Sequence, residues 1–276
     1  MTIGQVTLIL VSIAIAGVTY LFAPLLPPEQ ENREHSAIAS VTVDFDYEAY
    51  KQEELKRLIP EDSARYQQLI SELNSTGDKP GKLNEITSLL ESNQLRILVA
   101  LTVKDALNDT DVDSSWYSLG KILYTNAFTT DNQQLAQYVL SQAIACYEKA
   151  LEINSENTDA KINLATAYLE GQSAPMKGVM LLREITDKDP DNITANLILG
   201  KYGIVSGQFD KAAKRLQKVL SIDSLNVEAY LYLAEAYEGM GDKTKAIEAL
   251  EQCKKVVTDS GFSNEISNYI EKLKNS

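Results

Sequence analysis

From Tyr47 to the C-terminus, apolar residues recur at helical spacing, and the pattern predicts a chain built almost wholly of amphipathic helices. Tyr66, Leu69, Ile70 and Leu73 form one stripe. Leu95, Leu98, Val99, Thr102 and Ala106 form another, in a run (LRILVALTV) apolar enough to be buried on more than one side. Breaks at Pro60 and at Gly77-Asp78-Lys79-Pro80-Gly81 divide residues 47–112 into about four helices, expected to cap the following array or to be degenerate members of it, with a separate small helical domain as the alternative. Residues 29–46 are polar and aperiodic and read as a tether, although Val41, Val43 and Phe45 alternate as a short strand would. Before them, Ile3 to Leu26 carries no charged side chain over 24 residues, about 36 Å as helix, enough to cross a ~30 Å hydrocarbon layer. Residues 1–28 are therefore read as one transmembrane anchor closed by Pro24, Pro27 and Pro28. A cleaved leader is the competing reading, since Ala14-Ile15-Ala16 supplies small residues, but no Lys or Arg precedes the run.

An internal period organises the rest. Residues 193–226 align without a gap on 227–260: Leu199 falls on Leu233, Gly200 on Ala234, Gly207 on Gly241, Lys211-Ala212 on Lys245-Ala246 and Leu216 on Leu250, always 34 positions on. Gly178, Leu182, Ile185 and Pro190 precede Ala212, Leu216, Val219 and Ser224 by the same 34, while Leu164, Ala165 and Tyr168 lie one residue further away. Each unit holds two apolar stripes joined by a glycine turn, such as Gly207-Gln208-Phe209-Asp210. Small residues at 200, 212, 234 and 246 let two helices approach closely, and Asp189-Pro190-Asp191-Asn192 stops one unit and caps the next. The first unit is longer, because Leu119 to Leu164 spans 45 residues, 11 more than 34. Eleven residues are about three helical turns, so an overlong second helix from near Asn132 would carry Leu135, Val139, Ala143 and Tyr147 on one face; a loop of equal length is the alternative. In residues 261–276, Ile266, Tyr269, Ile270 and Leu273 face inward against Glu265, Asn268, Glu271, Lys272 and Lys274, the polar outer face that a terminal capping helix needs.

Trp116-Tyr117-Ser118-Leu119-Gly120, the run from Ala143 to Leu151, Ala165-Thr166-Ala167-Tyr168 and the Leu-Gly and Lys-Ala positions above resemble the tetratricopeptide repeat family, over four units in residues 113–260. The resemblance implies an all-α helix-turn-helix solenoid, coiled as a right-handed superhelix, whose inner face binds peptides or partner proteins. Helical phase places Tyr117, Lys121 and Tyr124 on that face in the first unit and Asn163, Thr166 and Glu170 in the second. The third supplies Thr194, Leu197, Lys201 and Ile204, and the fourth Glu228, Leu231, Glu235 and Glu238. Family members that clamp the C-terminal carboxylate of heat-shock chaperones converge several Lys, Arg and Asn residues there. Only Lys121, Asn163 and Lys201 could contribute in this chain, so the tyrosine-lined groove fits a peptide held by stacking and apolar contact instead.

Composition narrows the chemistry. Thirty-nine acidic against 26 basic residues give a net charge of −13 with no basic stripe, which argues against a nucleic-acid partner. The one histidine, His35, lies in the polar stretch, so most metal sites and hydrolytic triads lack a member. Cys146 and Cys253 occupy small apolar positions on helices, and no phosphate loop, nucleophile elbow or Cys-x-x-Cys motif is present. No enzyme activity, cofactor or metal is expected. The expectation is a single-pass membrane scaffold, anchored through residues 3–26, whose repeats recruit a protein or peptide partner. Arg33, the first basic residue after the span, favours the cytoplasmic side for the repeats. If they lie outside, an assembly factor or chaperone for exported proteins or c-type cytochromes is the alternative. The sequence specifies no oligomeric state.

Overall fold

The computed structural model describes residues 45–75, 79–107, 112–171 and 174–275, and every regular element among them is an α-helix. The first four are α1 (Tyr47–Leu55), α2 (Pro60–Ser75), α3 (Lys79–Ser92) and α4 (Arg96–Ala106). Asp46 caps α1, its Oδ1 accepting the Ala49 amide at 2.8 Å, and Pro60 opens α2 ahead of Glu61 and Asp62, where proline lacks nothing and carboxylates meet the positive helix end. Leu55, Leu58, Tyr66, Leu69, Ile86, Leu90, Leu95 and Leu98 make one core from these helices. Ala100 and Leu101, on another side of α4, enter the core of the helices that follow.

The array then runs in pairs: α5 (Asp113–Ala127) with α6 (Gln133–Ile153), α7 (Thr158–Glu170) with α8 (Pro175–Lys188), α9 (Ile193–Val205) with α10 (Phe209–Ile222), α11 (Val227–Gly239) with α12 (Lys243–Val256), and α13 (Ser260–Asn275) closing the end. Asparagine starts three of the first helices. Asn157, Asn192 and Asn226 each accept the amide three residues on, from Ala160, Ala195 and Ala229, at 3.0, 2.9 and 2.9 Å. That alanine is fully buried each time, so cap and close packing are set by one four-residue stretch. Gly207 and Gly241 end α9 and α11 at φ +71° and +77°, the left-handed region that an L side chain enters only at a cost.

Most of the additional residues of the first unit are helix, and they lengthen α6 above all. Asn132 caps α6, a 21-residue helix, and Leu135, Val139, Ala143 and Tyr147 are all buried in one core with Trp116, Leu119 and Leu123 of α5. These added turns also receive the start of the described chain, because Tyr138 on α6 lies 4.9 Å from the Phe45 ring and 5.6 Å from the Tyr47 ring. Phe45 and Asp46, placed in the tether by their sequence, are thus part of the fold: ring burial outweighs the freedom of the preceding polar stretch. Residues 3–26, where the membrane span is expected, and Val41 and Val43 lie outside the described residues. Among the described residues no helix is long and apolar enough to cross a membrane.

Each first helix touches the first helix of the next unit: α5 meets α7, α7 meets α9, and α9 meets α11. Successive second helices do not pack on one another to a comparable extent. The stack therefore bends with the first helices inside, and their free faces line the inner side of the curve.

Candidate protein-binding face

The inner face is built from α5, α7, α9, α11 and α13, and its side chains reach from unit to unit. Asn163 on α7 donates its amide to the Tyr117 hydroxyl on α5 at 3.1 Å, and the Lys121 ammonium stands 4.8 Å from the centre of the Tyr117 ring. The Tyr124 hydroxyl donates to Glu170, and the same carboxylate lies 3.6 Å from the Lys201 ammonium of α9. On the last units Glu238 accepts from Tyr269 of α13. Tyrosine, carboxylate and lysine side chains thus link α5 to α7, α7 to α9 and α11 to α13.

Burial raises the hydroxyls of Tyr124, Tyr202, Tyr232 and Tyr269 well above the ordinary phenol range, and the neighbouring glutamates push in the same direction. They are neutral donors throughout the physiological range. Tyr117 is raised by burial and by Asp159, a smaller perturbation than theirs. Glu235 keeps contact with water, yet it stands among enough protein atoms that lost hydration, then Glu238, raise its carboxyl, with Lys201 acting in the opposite sense.

Of the residues placed on this face by helical phase, Tyr117, Lys121 and Asn163 come together, as do Tyr124, Glu170 and Lys201. Glu235 and Glu238 neighbour one another on α11. Thr166 is turned into its own helix, its hydroxyl donating to the Ile162 carbonyl at 2.9 Å, so it makes no reach across units. Leu197 and Leu231 are half-buried against the core and present apolar edges. Ile204 is a correction: it is 8% exposed, inside the core of α9 to α13. The turn at Gly207-Gln208, closed by the Gln208 amide on the Gly203 carbonyl at 2.7 Å, folds α10 back over the last turn of α9 and covers it. Tyr202, Tyr232 and Tyr269 were missed by phase alone. Their signal was composition, since a polar tip on an apolar ring suits a face that is half dry.

Ion pairs also occur away from this face. In the shallow cleft between the start of α7, the end of α8 and the turn before α9, Lys161 pairs with Glu184 at 2.6 Å and Lys188 with Glu156 at 3.1 Å. Among the described residues no group of three or more His, Cys, Asp or Glu could hold a metal. Burial pushes the thiols of Cys146 and Cys253 up to about 11, away from reactive thiolate.

Comparison with known proteins follows the same pattern. Tetratricopeptide repeat family models match residues 204–259 and 140–157, that is, α10 to α12 with the end of α9, and the second half of α6 with the turn after it. The human antiviral innate immune response effector IFIT1 is 29% identical over 118 residues, 40% of this chain and 25% of its own, so the chain spans about a quarter of that curated relative. MamA from Desulfovibrio magneticus RS-1 superposes with a TM-score of 0.51 at 15% identity over 65% of this chain and 96% of its own, which shows a shared fold. YrrB, a repeat protein of this type with an unusual peptide-binding site, gives a TM-score of 0.49 at 18% identity over 74% of this chain and 97% of its own. The chain carries tetratricopeptide repeats in an all-α solenoid.

Proposed function

We propose that this repeat-bearing chain is a non-catalytic scaffold that binds a partner protein, or a peptide segment of one, along the inner face of α5 to α13. The observation that carries it is the set of side-chain links on the first helices, which join α5 to α7 through Tyr117 and Tyr124, α7 to α9 through Glu170 and Lys201, and α11 to α13 through Glu238 and Tyr269. Such a surface is preorganised: the rings are held by the core and by each other, so a bound peptide orders few protein side chains. Selection of binders from a random peptide library on the full-length chain tests this. Binders should weaken on Lys121→Ala and Tyr124→Ala and be indifferent to Lys214→Ala and Lys254→Ala on second helices. Binders that respond only to the second pair would refute it.

The scaffold is further proposed to be tethered to a membrane through residues 3–26, with its repeats on the cytoplasmic side. The uncharged 24-residue run supports the first part and Arg33 the second. Full-length protein should resist carbonate extraction from membranes, and a chain lacking residues 1–28 should not. Protease added to intact spheroplasts should leave the repeats whole until lysis; immediate digestion would transfer the reading to the extracytoplasmic chaperone.

A further inference from the structure

We propose that the front of α5, the side turned away from α7, is a separate docking site for an amphipathic helix of a partner protein, one that carries a carboxylate able to reach Lys121. The proposal does not depend on what the inner face binds.

The repeat register identifies the site. With Leu119, Leu164, Leu199 and Leu233 in line, Ser118 falls on Asn163, Lys121 on Lys201, Ile122 on Ala167, Tyr202 and Ala236, and Thr125 on Glu170. In the later units these positions meet the first helix ahead of them. Asn163 donates to Tyr117 of α5 at 3.1 Å, and Glu170 accepts from Tyr124 of α5. Lys201 pairs with Glu170 of α7 at 3.6 Å, and Tyr202 stands close enough to that carboxylate to feel its charge. Ala167 and Ala236 are fully buried.

On α5 the positions 118, 121, 122 and 125 are all exposed, Ile122 to 52%. The helix α4 stands as a preceding second helix would, giving Ala100 and Leu101 to the core of α5 and α6. Its pair α3 instead buries Ile86 and Leu90 in the N-terminal core and puts no apolar side chain into the core around α5. The row of first helices therefore begins on an uncovered face, with Phe128, 59% exposed, one turn beyond Thr125. The opposite end is finished differently: the exposed side of α13 carries Glu265, Asn268, Glu271 and Lys272, the polar outer face of a terminal helix. One exposed isoleucine is ordinary on any surface; Ile122 stands out because its counterparts on α7 and α11 are buried.

The array itself shows what fits there. The same side of α7, α9 and α11 is covered each time by a helix, the first helix of the unit before. That helix runs parallel to the one it covers, since the links from Tyr117 to Asn163 and from Tyr124 to Glu170 both step forward by 46 residues. Lys121 adds the charge. Its counterpart Lys201 receives a carboxylate, Glu170, from the last turn of the helix ahead. Among the described residues no carboxylate lies within 4 Å of Lys121, whose ammonium rests 4.8 Å from the Tyr117 ring centre. A helix seated on Ile122 with an acidic residue near its C-terminal end would complete the pair. A head-to-tail copy of the chain would bring the polar side of α13, and residues 29–44 carry no helical apolar stripe, so neither matches Ile122.

The test uses the full-length chain and an amidated, fluorescein-labelled peptide copying residues 158–171, the helix whose Glu170 already meets Lys201. Binding is read by fluorescence anisotropy. The peptide should bind and lose about tenfold or more in affinity on Ile122→Asp of the chain, a change at an exposed position. A peptide with Glu170→Lys should bind as weakly, and Lys121→Glu of the chain should recover it, a reversal of preference that damage to the fold would not produce. Absence of binding, indifference to Ile122→Asp or failure of the charge reversal would overturn the proposal. A photoreactive benzoylphenylalanine in place of Ile122 tests the occupant. Irradiated with the peptide, the full-length chain should cross-link to it. Irradiated alone, it should stay monomeric and uncross-linked; a cross-link to a second copy, or to residues 1–44 of its own chain, would give the site to that occupant and overturn the proposal of a partner helix. Library-selected peptides that map to the inner face should bind the Ile122→Asp chain undiminished, and their loss alongside the helix peptide would show one surface in place of two.

Discussion

Replacing Gly120 by alanine should destabilise the first repeat, although alanine is the better helix former. A Cβ at this position would stand 2.6 Å from Cε1 and 2.7 Å from Cδ1 of Tyr147, where carbon contacts settle near 3.5–4.0 Å, so about 1 Å of overlap must be absorbed. Tyr147 cannot absorb it by moving outward: it is 1% exposed and packed beside Tyr117. Overpacking of this kind costs ~1–3 kcal/mol. Helix propensity returns up to ~1 kcal/mol, which leaves a net loss of ~1–2 kcal/mol. Trp116, the one tryptophan in the chain, lies one turn before Gly120 at 9% exposure, so its fluorescence in a urea titration reports this repeat, while far-UV circular dichroism reports the whole array. In an array stabilised by nearest-neighbour contacts the fluorescence transition should move to lower urea more than the dichroism transition. A Gly120→Ala/Tyr147→Leu double variant should lose less than the sum of the single changes, because a smaller side chain makes room for the methyl. An unchanged or raised fluorescence midpoint for Gly120→Ala would refute the close approach of α5 to α6.

Further expectations concern caps, thiols and charge. Asn226→Ala removes the acceptor of the Ala229 amide and should cost ~1 kcal/mol in urea unfolding, while Asn226→Asp should cost little; equal losses would argue against a capping role. Cys146 and Cys253, fully buried and with thiols pushed up to about 11, should resist alkylation at pH 8 in the native chain and react on denaturation, and rapid native labelling would contradict their burial. Glu235→Gln should raise the urea midpoint at pH 7 and not at pH 4. A raised carboxyl contributes fully below its unfolded value near ~4.3 and loses that contribution as pH climbs through the folded value, so an advantage at pH 4 equal to that at pH 7 would show that the ionised form is not the strained one.

The sequence by itself determined what depends on near neighbours along the chain. The 34-residue interval from Leu199 to Leu233, the glycines at 207 and 241, the capping Asn192 before α9 and the stripe from Leu135 to Tyr147 all follow from local rules of helix period, cap and turn. Repetition adds the inference of stacking, since a helix pair with two apolar faces cannot bury both alone. Tertiary structure decided whatever depends on how one unit is rotated against the next. Tyr117 meets Asn163 and Tyr124 meets Glu170 across 46 residues, and Glu238 meets Tyr269 across 31, because the packing of one unit on the next decides which side chains reach across. Helical phase placed Ile204 on the inner face for the same reason that it missed Tyr202, Tyr232 and Tyr269. Phase describes a helix standing alone, and it does not register that α10 folds back over the end of α9 or that α13 closes on α11. Phe45 and Tyr47 stacking on Tyr138 belongs with these: residues some 90 positions apart were joined by the burial of rings, which no local pattern encodes.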